Sequence, residues 1–253
     1  MLDASSADPT APAATVNAPR DGATRVFDLP ARTRIAMVAF GLIPFIHLAV
    51  TLAPVALAAA GRVGWNAAWV SLVLLFVLPP VAVRATTLCR ALPVGQVESD
   101  SSAFLHWWFT AQWQVLFTRL PFLEECLRLV PGLYSAWLRL WGARIGSLVY
   151  WSPGVVILDR PVVRIGSRVV FGVGVRLNPH VLAAGPRGRV TLHLAPIVIG
   201  DDVLVGGYSL LLPGAVVAAG EATPPFRSVH AYSRFEGGRR VPERAVPSEE
   251  ATG

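Results

Sequence analysis

An apolar residue recurs about every six positions in the second half of the chain, and few folds accommodate such a period. The recurrence covers two stretches separated by an interruption: Ile145, Trp151, Ile157, Ile165, Phe171 and Leu177, then Ile199, Val205, Leu211 and Val217. A helix would repeat every 3.6 residues and a simple strand every two. A six-residue period is typical of a β-helix, in which each short strand forms one side of a triangular coil and the recurring apolar residue points inward.

The most specific part of this repeat is residues 196–217, which read PIVIGDDVLVGGYSLLLPGAVV. Together with the preceding coils, this segment resembles the hexapeptide-repeat acyltransferases, whose fold is a left-handed parallel β-helix. The resemblance covers about residues 140–221, and the segment WLRLWGARIG at 137–146 is similar to the start of such domains. We therefore expect an all-β left-handed parallel β-helix over residues 142–221, followed by an irregular C-terminal tail over 222–253.

The resemblance implies an enzyme that moves an acetyl or other acyl group from a thioester donor to a hydroxyl or amine. The donor in this family is coenzyme A or a carrier protein, so acyl-CoA, in particular acetyl-CoA, is expected as a co-substrate and no tightly bound cofactor is expected. Family members are usually homotrimers with active sites between neighbouring subunits, and a histidine acts as general base. These properties are implied by the resemblance alone.

Two histidines are the candidate catalytic residues. His180 lies where the coils give way to a loop over residues 183–198, and the catalytic histidine of galactoside-type acetyltransferases also precedes a loop that returns to such a strand. An imidazole suits this role because its pKa lies near the working pH. His193 lies within the loop and is the second candidate, either orienting the first or facing solvent. The alternative for His180 is a polar corner residue without a chemical role.

A glycine-rich corner is the candidate site for the thioester. We expect the backbone N–H groups of Gly206 and Gly207 to hold the oxyanion, with Tyr208 and Ser209 nearby. The chain departs from the family pattern because Leu204 replaces the usual tryptophan and the closing coil is missing. If a wall of the coenzyme A groove is missing with that coil, the donor is a carrier protein or another thioester, or catalysis has been lost.

No metal site is expected. The γ-class carbonic anhydrases share the β-helix and bind zinc through a histidine pair about five residues apart plus a third histidine. His180 and His193 are 13 residues apart, which does not match. The two cysteines, Cys89 and Cys126, form no C-x-x-C pair, which excludes a zinc ribbon or a disulfide framework.

The N-terminal part of the chain contains two long apolar segments, residues 35–60 and residues 63–83. The first has 26 residues without a charge, about 39 Å as a helix, which exceeds a hydrocarbon core of about 30 Å. Only two residues separate the segments, so we predict a two-helix transmembrane hairpin over residues 31–92. Pro44 and Pro54 are expected to kink the first helix. A cleaved signal peptide is the alternative, but the apolar run is far longer than the usual 7–15 residues.

Arginines predict the orientation of this hairpin, and the chain has no lysine. Arg62 is the only basic residue between the spans. Basic residues flank both outer ends: Arg20, Arg25, Arg32 and Arg34 before the first span, and Arg84 and Arg90 after the second. The positive-inside rule places both termini in the cytoplasm. We therefore expect an integral protein of the cell inner (plasma) membrane with a cytoplasmic catalytic domain.

Residues 1–30 are rich in Ala, Ser, Thr and Pro, and we expect a disordered tail. Residues 93–141 contain five of the eight tryptophans interleaved with arginines and interrupted by Pro121 and Pro131. They are expected to form interfacial helices on the membrane, a helical cap on the β-helix, or both.

The sequence thus predicts a two-helix transmembrane hairpin and interfacial helices, then the β-helix. Only 15% of residues are charged, against about 25% in soluble domains, in agreement with a membrane protein. Arginines are scattered, so anionic lipid headgroups fit better than a nucleic acid. The expected activity is acyl transfer to a membrane-proximal acceptor. The alternative is a non-catalytic trimeric membrane scaffold that keeps the β-helix for assembly.

Overall fold

The computed structural model describes residues 29–184 and 190–242. The predicted disordered tail lies outside the described residues except for its last two positions. Four helices come first: α1 Ala31–Gly41, α2 Ile43–Ala59, α3 Ala67–Phe76 and α4 Leu78–Cys89. A strand and three further helices follow: β1 Gly95–Glu98, α5 Ser102–Arg119, α6 Phe122–Arg128 and α7 Leu133–Leu140.

Helices α1 and α2 form one apolar helix of 29 residues that is long and apolar enough to cross a membrane. Only 17% of its most apolar window is buried, so most of its apolar surface faces away from the rest of the protein. The two parts join at Leu42, two residues before Pro44, while Pro54 lies inside α2. The His47 ring nitrogen Nε2 donates to the Leu74 carbonyl at 3.0 Å and joins α2 to α3.

The second apolar segment is not a single straight helix. Helices α3 and α4 are bent by 40° at Val77, and they are long enough to cross a membrane only if the bent pair counts as one span. The bend has a local cause, because Pro79 and Pro80 have no N–H to donate to the preceding turn. The transmembrane hairpin therefore stays a prediction.

Helices α5, α6 and α7 cover the N-terminal end of the β-helix. The side chain of Ser101 accepts a hydrogen bond from the Phe104 N–H at 3.1 Å and caps the start of α5. Buried residues from these helices share one core with the inward residues of the coils: Phe117, Leu127, Tyr134, Trp137, Leu138 and Trp141. This packing corresponds to the helical cap that was expected over residues 93–141.

Four three-sided coils of parallel strands form the C-terminal domain. The first two coils contain β2 Arg144–Ile145, β3 Tyr150–Trp151, β4 Val156–Ile157, β5 Val163–Ile165, β6 Val170–Phe171 and β7 Arg176–Leu177, with a 3₁₀ turn at Arg160–Val162. The next two contain β10 Ile197–Ile199, β11 Leu204–Val205, β12 Leu210–Leu211, β13 Val216–Val217, β14 Ala222–Thr223 and β15 Ser228–Val229. The strands stack into three parallel sheets, which confirms the parallel β-helix; its left hand stays a prediction.

The Ile-Gly pairs of the repeat have a steric cause. A Cβ at Gly146 would lie 2.5 Å from the backbone of Gly166, and a Cβ at Gly166 would lie 2.7 Å from the backbone of Gly200. Neighbouring coils therefore approach so closely at this corner that only glycine fits.

The predicted irregular tail is wrong for residues 222–242, and its remainder lies outside the described residues. Residues 222–229 complete the fourth coil, and β16 Ser233–Glu236 continues the stack before it pairs with β17 Arg239–Pro242 in a closing hairpin. The six-residue period continues inward through Thr223, Val229 and Phe235, but a threonine and two following prolines obscure it in the sequence. The closing coil is thus present.

The interruption of the repeat is an antiparallel excursion rather than an irregular loop. Strands β8 His180–Ala184 and β9 Val190–Leu194 pair with each other, and β1 pairs with the other edge of β9. The side chains of Leu192 and Leu194 pack with Phe104 and Trp107 from α5. The excursion therefore ties α5 to the β-helix beside His180.

Candidate active site

His180 and Asp159 form a hydrogen-bonded pair at one corner of the β-helix. Asp159 follows β4 and His180 follows β7, so the stacking of the first two coils brings the two residues together. The His180 Nδ1 atom contacts the Asp159 Oδ2 atom. The Asp159 side chain is buried, whereas 23% of the His180 side chain stays accessible. The carboxylate thus orients an imidazole that a substrate can still reach.

Trp107 of α5 completes this arrangement. Its Nε1–H donates to the Asp159 Oδ1 atom at 2.8 Å, and its ring contacts the His180 ring edge-on with centroids 4.9 Å apart. Both oxygens of the buried carboxylate therefore have a hydrogen-bond partner, which fixes the carboxylate in one orientation.

A buried ionic network holds the turn that carries Asp159. Arg160 is 1% exposed and donates to the Glu124 Oε1 atom from Nε at 2.9 Å and also from a terminal nitrogen. Its backbone N–H donates to the Gln114 Oε1 atom at 2.9 Å. Tyr134 donates to the second Glu124 oxygen at 2.7 Å. Burial, together with the Glu124 charge, raises the pKa of Tyr134 and keeps it a neutral donor.

Electrostatics around His180 suit a base that works near neutral pH. Burial favours the neutral imidazole, but the hydrogen bond to Asp159 and its negative charge outweigh burial. The pKa of His180 is therefore raised above its ordinary value of 6.5. Since Asp159 occupies Nδ1, the second ring nitrogen is the one available to a substrate.

A cavity of about 690 Å³ lies beside the pair. Three parts of the fold line it: the helix α1–α2, the helix α5, and the β-helix corner at Leu158, Asp159 and His180. The pair thus contacts a space large enough for a small substrate.

His193 does not reach His180. In the excursion His180 is opposite Leu194, and His193 is opposite Val181. Because successive side chains of a strand point to opposite faces, His193 lies on the other face of this sheet. Asp159, rather than His193, orients the His180 ring.

The predicted thioester corner lies between β11 and β12, which is a different corner of the coil from that of His180. The Gly206 N–H donates to the Thr223 hydroxyl at 2.9 Å, and the Tyr208 N–H donates to the Val173 carbonyl at 2.7 Å. The buried Ser209 hydroxyl accepts from the Arg227 N–H at 3.2 Å. A Cβ at Gly207 would lie 3.2 Å from the Val173 carbonyl oxygen. This backbone therefore serves coil stacking, and within one chain it does not face His180.

The sequence interpretation did not identify Asp159, Trp107 or Arg160. One feature of the sequence could have indicated Asp159: it is a charged residue that interrupts the repeat between Ile157 and Ile165. No group of three or more potential metal ligands occurs among residues 29–184 and 190–242.

Comparisons with known proteins find solved structures that resemble this chain, with low TM-scores. No protein-family model matches the chain, and no curated protein matches it. A hexapeptide-repeat acetyltransferase from Vibrio cholerae complexed with acetyl coenzyme A is 19% identical, with a TM-score of 0.36 over 53% of this chain and 89% of that one. A maltose O-acetyltransferase from Clostridium difficile is 15% identical, with a TM-score of 0.32 over 48% and 82%. A galactoside acetyltransferase in complex with coenzyme A is 15% identical, with a TM-score of 0.26 over 51% and 81%. At such TM-scores the likeness assigns no activity to this chain.

Proposed function

We propose that this protein is a membrane-anchored acyltransferase in which His180 is the general base. It transfers an acetyl or other acyl group from a thioester, acyl-CoA or an acyl-carrier protein, to a hydroxyl or amine of a membrane-proximal acceptor. The observation that carries this proposal is the His180–Asp159 pair on the wall of an accessible cavity. In the neutral imidazole, a buried carboxylate that accepts from the Nδ1–H leaves Nε2 able to take a proton from the acceptor.

The chemical step needs no further reactant. The Nε2 atom takes the proton from the acceptor as its oxygen or nitrogen adds to the thioester carbonyl. The tetrahedral intermediate then collapses, the carbon–sulfur bond breaks, and the thiolate leaves with the proton from His180. Asp159 stabilises the imidazolium between these two transfers.

The thioester site requires a second copy of the chain in this proposal. The Gly206–Ser209 corner is at a different corner of the coil from His180 within one chain. If the active site lies between two subunits, a neighbouring copy can supply this corner to the site. Tyr208 is 58% exposed and stacks on Phe226 with ring centroids 5.3 Å apart. This exposed aromatic pair, rather than the N–H groups of Gly206 and Tyr208, which bind neighbouring coils, is the part of the corner that would contact a donor such as acetyl-CoA.

The proposed location is the inner membrane, with both termini in the cytoplasm. The helix over residues 31–59 supports an anchor because its apolar side chains are largely exposed, among them Ile35, Val38 and Phe45. Lipid would cover this surface. Tethering the site near the bilayer raises the effective concentration of a lipid-linked acceptor.

The test is thioester consumption by the full-length protein in detergent, with acetyl-CoA and with or without a lipid extract. We expect turnover that depends on the extract, and His180→Ala should lower kcat by about 10²–10⁴-fold because it removes the general base. His193→Ala is the matched control, and it should lower kcat much less than His180→Ala does. A wild-type protein that consumes no thioester, yet assembles, would instead favour the trimeric scaffold.

A further inference from the structure

The cavity beside His180 has an unusual wall, because part of it comes from the apolar helix over residues 31–59. Gly41, Pro44, Phe45 and Leu48 line this side. Several apolar residues of that helix that do not line the cavity are also exposed, for example Ile46 at 58% exposure. The cavity wall therefore continues into a surface that suits lipid.

The opposite wall is α5, and its chemistry changes along the helix. Trp107 contacts His180, while Ala111, Val115 and Leu116 line the cavity one to two turns further along. Eight residues separate Trp107 from Val115, about 12 Å at the helical rise of 1.5 Å per residue. Gln112, Gln114 and Thr118 of the same helix also line the cavity. The cavity is therefore polar at the His180–Asp159 pair, and its α5 wall combines these polar groups with apolar side chains over about two helical turns.

We infer that this cavity binds the aliphatic chain of the acceptor, a lipid with a hydroxyl or amine at one end. The inference rests on the proposed function and specifies its substrate class. The reactive group of the acceptor has to reach Nε2 of His180, so the remainder of the acceptor occupies the space that extends from that atom. The apolar walls match a hydrocarbon chain, and the helix over residues 31–59 provides a route from the bilayer.

The donor fits this cavity less well than the acceptor. Coenzyme A and carrier proteins are large and strongly charged, whereas among residues 29–184 and 190–242 the only charged or titratable side chains that line the cavity are Asp159, His180 and Arg119. Two of these form the catalytic pair. A donor with a long acyl chain remains the competing occupant, and the experiment separates it from the acceptor.

The kinetic test uses the full-length protein, saturating acetyl-CoA and primary alcohols from butanol to decanol. Burial of each methylene should raise kcat/KM about fourfold until the cavity is full. Leu48→Trp, which narrows the cavity, should reduce the preference for decanol over butanol at least tenfold. Ile46→Trp is the matched control, since it makes a similar change on the same helix outside the cavity, and it should keep the wild-type preference. The inference would be overturned if kcat/KM did not depend on the chain length of the alcohol. It would also be overturned if both variants lost the preference for decanol equally.

A binding test separates failure of this inference from failure of the proposed function. A hexadecanol analogue that carries a diazirine should label residues 41–48 and 107–116, as mapped by mass spectrometry, and decanol should compete. Labelling without thioester turnover would reject the acyltransferase and keep the lipid site. Turnover without labelling of these segments, or competition by palmitoyl-CoA and not by decanol, would reject the acceptor site.

Discussion

Asp159 adopts a left-handed backbone conformation, with φ 46° and ψ 59°. Few residues other than glycine accept this region, and aspartate is among the more tolerant ones. Several other corners of the coils use the same conformation for exposed residues, for example Leu148 and Phe226. At Asp159 the same turn instead directs a carboxylate toward His180 and Trp107. A routine corner of the fold thereby becomes a candidate catalytic position.

We expect Asp159→Asn to change both the rate and its pH dependence. The base must be neutral, so activity is lost as pH falls through the pKa of His180. Asp159 raises that pKa by its hydrogen bond and its charge, and burial opposes it. Replacement by asparagine leaves burial dominant, so the acidic limb of kcat/KM should move to lower pH. In addition, kcat should fall by up to about 10⁴-fold because the ring loses its orienting carboxylate.

The pH–rate profile measured between pH 5 and 9 checks this prediction, with Trp107→Phe as the control. Trp107→Phe keeps an aromatic ring beside His180 and removes only one hydrogen bond to Asp159. The acidic limb of its kcat/KM profile should therefore move little. An acidic limb that stays in place or moves to higher pH in Asp159→Asn would argue against the pair.

Arg160 is expected to matter for stability more than any exposed arginine. Its guanidinium lies between the rings of Phe117, Trp137 and Trp141, 5.6–5.8 Å from their centroids, while it binds Glu124. Removing one partner of a buried ion pair costs about 3–5 kcal/mol when the other charge is left unpaired. Arg128 also binds Glu124, at 3.0 Å, so this range is the upper bound. Arg160→Met should lower the free energy of unfolding by up to that amount.

Urea unfolding in detergent measures this cost against two comparisons. The double variant Arg160→Met with Glu124→Gln should recover part of the loss, since the buried carboxylate that lost Arg160 is neutralised as well. Arg168→Met breaks the exposed pair with Asp202 and should leave stability unchanged within error. Equal effects of the two arginine variants would contradict the buried network.

At the scale of the elements, each coil is stabilised by its neighbours rather than by its own residues. A strand of two residues has little apolar surface, and the inward side chains are buried only when the next coil covers them. The fourth coil therefore covers the third, the closing hairpin β16–β17 covers the fourth, and Phe235 of β16 is fully buried. Residues 222–242 belong to the fold and to its cooperative unfolding.

Phe235→Ala should destabilise the β-helix strongly, by about 3–5 kcal/mol, because it leaves a cavity in the core. Phe226→Ala is the matched control, because Phe226 is 77% exposed and only stacks on Tyr208. Thermal unfolding should show a large decrease in Tm for the first variant and little change for the second. Similar Tm values would mean that the chain after residue 221 does not contribute to the core.

At the scale of the whole molecule, one of the three outer faces of the β-helix differs from the others. Its outward residues Tyr150, Val170 and Leu204 are in register on neighbouring strands and are exposed, without a charge among them. The other two faces carry outward arginines, such as Arg164 and Arg176. A homotrimer would bury the apolar face most favourably.

Leu204→Arg should therefore shift the protein from trimer to monomer, because it places an unpaired charge in the contact. Native mass spectrometry in detergent measures the shift. Leu210→Arg, on the face that carries Arg176, is the control and should leave the trimer intact. A wild-type protein that is entirely monomeric would reject the homotrimer.

The sequence by itself determined the features that depend on local periodicity. The six-residue recurrence was sufficient for the parallel coils and their inward residues as far as Val217, because each coil repeats the same short pattern. The length and apolarity of residues 35–60 predicted the helix that could span a membrane, for the same local reason. His180 was identified by its place at the end of a coil, together with the resemblance to a family.

The tertiary structure alone decided which residues accompany His180. Asp159 is 21 residues away from it, and Trp107 is 52 residues away from Asp159, so coil stacking and the packing of α5 bring the three together. The cavity likewise depends on the position of the helix over residues 31–59 beside α5. Such contacts are set by packing between distant segments, and no periodicity in the chain encodes them. This is why the sequence offered His193 only as a second candidate, either orienting His180 or facing solvent, whereas the fold supplied Asp159.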